Sequence, residues 1–320
     1  MSPDHRLLRG YGKEFMKPRH LLLFLAGWLG SVSAPVIAGP EARLPVDPAA
    51  LEQLAAAGDH DAACSLARLH LLGQGVSRDL AKCLALVKPA AEAGNPKGEA
   101  LFGYLLLEGK GVPRNEEEGL RWTLKAAEHG DAAAQLNAGN LLLKGTGAKA
   151  DPVAGIAWLE KAAAAGRLDA QKRLIDLYFS GGDGVEVKEA NSLPWARRAA
   201  EAGDAWAQTA YGTLFERGYG VGQDLVQAEH WYRRAAEQGH ARAMYALARL
   251  YAEDLGRVKD HVEAYYWLNR GASLSDTASL NYLTELLPSL SAAEISAGNA
   301  RLAADGLKPV KPHARPVGGS

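Results

Sequence analysis

The chain has 320 residues, of which 48% are hydrophobic and 23% charged, and its formal net charge at neutral pH is −1. This near balance excludes the strongly basic surface that binds nucleic acid, so no nucleic-acid partner is expected. The length is ample for a continuous hydrophobic core.

The first 38 residues have the layout of a cleavable secretory signal. Basic residues within 17–20 precede an apolar run over 21–30, and the compact residues Val36-Ile37-Ala38 end the segment. The apolar run is too short to span a bilayer core of ~30 Å. We therefore expect cleavage after Ala38, no retained membrane span, and a periplasmic or secreted mature protein.

Removal of this signal changes the charge of the chain. Residues 1–38 hold five Lys/Arg and two Asp/Glu, so the mature chain has a net charge near −4. The residues before Met16 add little to a signal, so Met16 is an alternative to Met1 as the start of translation. Residues 39–47 are predicted to be a linker, and 48–57 have room for one N-terminal capping helix.

Six glycines, which we call the ladder glycines, mark an internal repeat over residues 58–270. Units of about 36 residues cannot bury a hydrophobic face alone, so they stack on their neighbours. The predicted fold is therefore all-α, with six stacked repeats. The glycines fall 36, 36, 36, 37 and 36 residues apart, at Gly58, Gly94, Gly130, Gly166, Gly203 and Gly239.

Each repeat predicts a first helix with one buried stripe. A small residue stands four positions after the glycine and a leucine stands eleven after it. These offsets share one helical face, and the small residues let a neighbouring helix come close. The leucines are Leu69, Leu105, Leu141, Leu177, Leu214 and Leu250.

A second helix follows in each repeat. A glycine pair such as Gly109-Lys110-Gly111 turns the chain. Side-chain N-caps then stand at Asp79, Asn115, Asp151, Asp224 and Asp260. A tryptophan recurs at one helical phase beside small residues, which favours core packing over carbohydrate stacking. The series is Trp122, Trp158, Trp195, Trp231 and Trp267, while Trp206 lies outside it and is expected to be exposed.

These residues resemble a known family. The string Ala-Ala-x-x-Gly, then Gly-x-Gly-Val, then Asp-x-x-x-Ala-x-x-Trp, well shown by 199–232, resembles the Sel-one-like repeat, a relative of the tetratricopeptide repeats. The resemblance covers about 56–270. It implies an α/α solenoid, a right-handed superhelix whose first helices line a concave groove, and a role in protein recognition.

Two repeats depart from this pattern. The fourth has one extra residue near Gly181-Gly182-Asp183-Gly184, and it has Lys188 where the second N-cap should be. The sixth has Asp254 in place of its first loop glycine. We expect these two turns to differ from the others.

The C-terminal part has capping helices and a tail. Residues 271–304 are predicted to contain the capping helices, the last of which starts at a capping box formed by Ser291 and Glu294. From 305 to 320 the chain is rich in Pro, Gly and Lys, and this composition predicts a disordered tail.

No catalytic or cofactor motif accompanies the repeats. The Gly-x-Gly loops lack the Gly-Lys-Ser/Thr ending of a phosphate-binding loop, and no His-x-x-x-His or Cys-x-x-Cys is present. We expect no catalytic residues, no cofactor and no metal site. Cys64 and Cys83 are placed at different helix levels, so buried packing is favoured, with a disulfide as the alternative in an oxidising compartment.

Two rows of chemically mixed residues are expected to point away from the buried stripe. Ten positions after the glycine stand Arg68, Tyr104, Asn140, Asp176, Thr213 and Arg249, and six after it stands a row that includes Tyr245. Packing keeps the residues of a buried row chemically similar. The mixed chemistry of these two rows therefore indicates side chains that face a ligand or plain solvent. The predicted partner-binding residues are Arg68, Tyr104, Asn140, Asp176, Tyr245 and Arg249.

The sequence therefore predicts a non-enzymatic scaffold or adaptor. It binds a protein or peptide partner in the groove of the repeat array, in envelope assembly or signalling. The alternative is an envelope enzyme that acts on peptidoglycan or polysaccharide. That alternative needs a cluster of carboxylates in a deep pocket, whereas the acidic residues fall mostly in loops and helix caps.

Overall fold

The computed structural model describes residues 47–253 and 259–311. The predicted signal segment and the sixth-repeat loop around Asp254 lie outside these residues. The described part forms α-helices joined by short turns, with no β-strand beyond an isolated bridge between Gly182 and Val185. The prediction of an all-α fold built from helix pairs is confirmed.

The helices fall into two compact units, the first ending at Val187 and the second beginning at Lys188. In the first unit the helices are α1 (Pro48–Ala56), α2 (His60–Leu72), α3 (Leu80–Glu92), α4 (Pro96–Glu108), α5 (Glu116–Glu128), α6 (Ala132–Lys144), α7 (Pro152–Ala164) and α8 (Leu168–Ser180). In the second unit they are α9 (Leu193–Glu201), α10 (Ala205–Arg217), α11 (Leu225–Glu237), α12 (Ala241–Ala252), α13 (His261–Ser273), α14 (Thr277–Leu286) and α15 (Ala292–Ala304).

Within each unit, each helix packs against the next one along the chain, except that the last helix, α15, packs against α13. The predicted stripe forms the core between them: Leu105, Leu141, Leu177, Leu214 and Leu250 are buried, as are the small residues four positions after each glycine. Leu69 is the exception, since it is half-buried in the first repeat. Helical periodicity therefore identified the core face correctly in five of the six repeats.

Side-chain caps start both helices of most repeats. The predicted caps of the second helices are present, as at Asp151, whose carboxylate accepts a hydrogen bond from Ala154 N at 3.0 Å. Four of the six first helices have caps of the same kind directly after the ladder glycine, as at Asp131, which accepts from Ala134 N at 2.7 Å. The capping box at Ser291 is also present.

A row of glutamines joins neighbouring repeats. Five positions after the ladder glycine, the glutamine side chain donates to an alanine carbonyl at the end of the preceding second helix. The bonds run from Gln135 to Ala127 O at 3.2 Å, from Gln171 to Ala163 O at 3.1 Å, and from Gln208 to Ala200 O at 3.2 Å. Sequence analysis did not identify this row, although its spacing repeats with the ladder glycines.

In the second, third and fifth repeats, the second glycine of the loop lies against the preceding repeat. Gly147 has φ +78°, and a Cβ at this position would lie 2.3 Å from the carbonyl oxygen of Glu116. Such a contact is far inside van der Waals distance, so only glycine fits there without backbone movement.

The fourth repeat differs at the predicted place. Gly181 ends α8 with φ 70° and ψ −163°, whereas the other complete loops begin with a glycine in the left-handed helical region. Lys188 makes no side-chain cap, and a 3₁₀ helix over Glu189–Ser192 precedes the short α9. The two helices of this repeat belong to different units.

The start of the predicted tail is ordered, contrary to expectation. Asp305 accepts a hydrogen bond from the Tyr266 hydroxyl, and Leu307 packs against the core of the second unit. Val310 N donates to Asn269 Oδ1 at 2.8 Å. Composition predicts disorder because the segment is polar overall, but one leucine and one backbone N–H hold it to α13 and α15.

Candidate partner-binding surface

The predicted partner-binding row occupies the ninth residue of each first helix. In the first unit these residues are Arg68 on α2, Tyr104 on α4, Asn140 on α6 and Asp176 on α8. In the second unit they are Thr213 on α10 and Arg249 on α12, with Tyr245 one turn earlier on α12.

Burial separates the members of this row. Arg68 and Asn140 are half-buried, but Tyr104 and Asp176 are only 6% and 4% exposed. The expectation that the row points away from the core is wrong for these two residues. Helix α4, which carries Tyr104, packs against α2, α3 and α5, and Tyr104 is one of the buried residues of this core.

Charged neighbours cover the buried members. The Lys110 ammonium donates to the Tyr104 hydroxyl and lies 4.6 Å from its ring centroid. Arg68 is also partly shielded from solvent, and this burial lowers its pKa. Fewer residues of this row in the first unit are therefore exposed than the sequence pattern indicates.

Asp176 belongs to a three-residue charge cluster in the first unit. Arg173 donates to Asp176 Oδ2 at 3.2 Å and to Asp183 Oδ2 at 2.5 Å. Asp183 lies in the loop with the extra residue and has φ 50°. Burial raises the pKa of Asp176 although Arg173 opposes the shift. Within the described residues, the other oxygen of Asp176 is buried without a hydrogen bond.

Arg249 is the centre of a larger polar cluster in the second unit. Its guanidinium pairs with Glu216 and, at 3.2 Å, with Glu253 Oε2. The Tyr232 hydroxyl lies 2.7 Å from Glu216 Oε2 and 3.0 Å from Thr213 Oγ1. Sequence analysis missed Glu216 and Tyr232, because their spacing carries no sign that these side chains meet.

Opposing effects set the protonation of this cluster. Burial lowers the pKa of Arg249, but Glu216 and Glu253 outweigh it and raise that pKa above its ordinary value. Burial, and then the charge of Glu216, raises the pKa of Tyr232. Arg249 is therefore charged and Tyr232 neutral at physiological pH.

An aromatic pair lies beside these charges. The rings of Tyr245 on α12 and Tyr282 on α14 meet edge to face, with centroids 5.8 Å apart. Burial, with the nearby charge of Glu253, raises the pKa of Tyr282 to about 12. Tyr245, Arg249, Glu253 and Tyr282 form what we call the α12–α14 patch, and all four residues are half-buried.

The tryptophan row is only partly core. Trp231 and Trp267 are buried, at 9% and 2% exposure, but Trp122, Trp158 and Trp195 are half-buried. The structure therefore corrects the core assignment for these three. Trp206, which was expected to be exposed, is also half-buried.

A cation three residues later covers several of these rings. Lys125 lies 4.2 Å from the centroid of Trp122, and Lys161 lies 3.8 Å from that of Trp158. Arg234 and Arg270 are placed in the same way, 5.0 and 5.2 Å from Trp231 and Trp267. A cation–π contact of this kind covers one face of each ring.

The two cysteines are part of the buried core. Cys64 and Cys83 are both free and buried, and burial raises their pKa values to about 12 and about 11. Both are therefore protonated at neutral pH.

Among the described residues, no group of three or more His, Cys, Asp or Glu side chains is arranged to hold a metal ion. None of the described helices has the length and apolar character needed to cross a membrane.

Comparison with known proteins agrees with this repeat organisation. A family model described as Sel1 repeat matches six consecutive segments, 60–95, 97–131, 132–166, 169–204, 207–240 and 241–276. No curated protein matches the chain.

Solved structures with similar folds were also found. A Sel1 repeat protein from Oxalobacter formigenes is 28% identical, with a TM-score of 0.55, over 79% of this chain and 99% of that one. A protective antigen of uropathogenic Escherichia coli with an SLR fold is 24% identical, with a TM-score of 0.41, over 82% and 76%. A sel1 repeat protein from Klebsiella pneumoniae is 21% identical, with a TM-score of 0.41, over 63% and 98%.

Proposed function

This chain belongs to the Sel1 repeat family, and we propose that it is a non-catalytic scaffold that binds its partner through the first helices of its repeats. Proteins with Sel1 repeats generally mediate protein–protein interaction, and the fold is typically a scaffold. The partner we propose is a protein or peptide segment of the cell envelope.

The α12–α14 patch carries this proposal. It combines two tyrosine rings with an arginine and a glutamate, and Tyr and Arg are enriched at the centres of protein interfaces. The edge-to-face packing of Tyr245 and Tyr282 holds both rings in place before a partner arrives. A preformed aromatic surface loses little side-chain entropy on binding.

The envelope location rests on residues 1–38. Their basic start, short apolar run and compact end favour export and cleavage after Ala38. An exported scaffold would meet its partner in the periplasm or outside the cell.

Site-specific photocrosslinking tests this assignment. A photoreactive phenylalanine analogue replaces Tyr282 or, as the matched control, Gln227, which is exposed on the second helix α11. In an envelope extract, we expect one protein to crosslink from position 282 and not from 227. Crosslinking of that protein from position 227 alone would move the binding surface to the second helices and contradict the proposal.

A further inference from the structure

The segment 305–311 is bound by the second unit as a ligand would be. It follows the last helix, α15, and returns to the side of α13. Composition gives it no reason to be ordered, so specific contacts must hold it.

The first contacts recognise an acidic residue. Asp305 accepts a hydrogen bond from the Tyr266 hydroxyl, and Arg270 Nη1 lies 3.8 Å from Asp305 Oδ2. The Arg270 side chain also donates to the Tyr266 hydroxyl at 2.8 Å. Two polar side chains of α13 thus converge on one carboxylate.

The next contact recognises an apolar side chain. Gly306 has φ +70°, and the following Leu307 N donates to Leu302 O at 2.8 Å. This turn directs Leu307 into the apolar cluster that includes Leu302, and its side chain is half-buried there.

The last contact reads the peptide backbone. Asn269 is 1% exposed, and its Oδ1 accepts a hydrogen bond from Val310 N at 2.8 Å. The other end of the amide donates to Tyr265 O at 2.8 Å, which fixes its orientation. A buried side chain with this bond is specific for a residue with a backbone N–H, so it excludes proline.

We propose that Tyr266, Arg270, Asn269 and the Leu307 pocket form a peptide-binding site that the chain's own segment 305–311 occupies. The site takes a partner segment with an acidic residue, a leucine two positions later and a residue other than proline five positions later. Lys308, Pro309 and Lys311 are exposed, so few contacts hold the internal segment and a partner segment can replace it. This site lies on α13 and α15, so it is independent of the first-helix row.

Peptide binding to the full chain tests the proposal. The substitutions Asp305→Ala, Leu307→Ser and Val310→Pro together release the internal segment, because they remove the carboxylate, the apolar anchor and the N–H donor. A labelled peptide with the sequence of 305–311 is then titrated into the parent and the released variant, and anisotropy is measured. We expect at least tenfold tighter binding to the released variant, since the parent site is already occupied.

Two altered peptides provide the matched controls. One has proline at the Val310 position and the other has asparagine at the Asp305 position, and both should bind the released variant at least tenfold more weakly. Circular dichroism confirms that the released variant is folded. The variant with Asp305→Ala and Val310→Pro, which keeps the leucine anchor, replaces the triple variant if the latter unfolds.

The opposite results overturn the proposal. These are no peptide binding by a folded released variant, equal binding by parent and variant, or equal binding of the proline-containing peptide. Any of them would make the segment a structural cap only.

Discussion

Arg249 on α12 forms an ion pair with Glu216 on α10, and it thereby joins the first helices of two successive repeats. Both side chains are largely removed from solvent, with 12% and 7% of their surfaces exposed. Glu216 also binds the buried hydroxyl of Tyr232. A residue expected from its sequence position to contact only a partner is therefore also part of the packing between repeats.

Loss of this pair should destabilise the protein. Arg249→Ala leaves Glu216 buried without its main counter-charge, which costs about 3–5 kcal/mol of unfolding free energy in comparable cases. The exposed pair of Arg197 with Glu201 is the control, and Arg197→Ala should have a much smaller effect, because solvent screens that pair. Urea denaturation measures both changes. Equal small effects would show that the buried pair adds nothing to stability.

Asp176 should make stability depend on pH. Its pKa is raised above the ordinary 3.8 by burial, so the folded protein binds more protons than the unfolded chain as pH rises above that value. Ionisation of Asp176 therefore destabilises the fold at neutral pH. We expect Asp176→Asn to raise the unfolding free energy at pH 7, with a smaller gain near pH 4.

Denaturation of Asp176→Asn at both pH values checks this expectation, with the more exposed Asp183→Asn as the control. A loss of stability for Asp176→Asn at pH 7 would show that its ion pair with Arg173 outweighs the cost of burial.

Trp158 and Trp231 hold equivalent positions in their repeats, but their replacement by alanine should lower the stability by different amounts. Trp231→Ala removes a buried ring and should cost about 3–5 kcal/mol. Trp158 is half-buried, so Trp158→Ala should cost clearly less. Thermal unfolding of the two variants compares them directly. Equal losses would mean that contact with Lys161 makes the exposed part of the Trp158 ring as important as burial.

Two glycines with positive φ offer a test of close packing. At Gly130 no atom lies within 4 Å of the position that a Cβ would take, so Gly130→Ala should cost only the backbone strain, about 1–2 kcal/mol. At Gly147 the added methyl group also meets the Glu116 carbonyl, so Gly147→Ala should cost several kcal/mol more. Similar unfolding midpoints for both variants would contradict the contact.

Export should remove the first 38 residues. N-terminal sequencing of protein recovered from the periplasm or medium should begin at Gly39, because the compact residues before it suit a signal peptidase. Replacing Ala38 with a bulky residue should block this cleavage. Recovery of exported protein that retains residues 1–38 would contradict the assignment.

Periodic features of the fold could be predicted because they repeat. One helical phase, counted from the ladder glycine, identified the buried leucines, and the cap positions followed from residue type. The tryptophans were placed at the right phase, but phase alone does not say how far a neighbouring helix covers a ring. That coverage leaves Trp158 half-exposed and Trp231 buried.

Pairings between distant residues could not be predicted in the same way. Arg249 and Glu216 are 33 positions apart, and nothing in their spacing shows that the charges meet. The order of 305–311 likewise depends on the buried Asn269, which sequence analysis had no reason to single out. A row chosen for its chemical variety therefore mixed residues open to a partner with residues that stabilise the fold.

The glutamine bonds make the unfolding of one repeat depend on its neighbour. Opening a repeat that contains Gln135, Gln171 or Gln208 also breaks a bond to the helix before it, so opening in the middle is more costly than at the ends. The corresponding positions in the first and sixth repeats are Ala63 and Met244, which cannot make such a bond. Amide hydrogen exchange should therefore be fastest in the terminal repeats and slowest in those that the glutamines join.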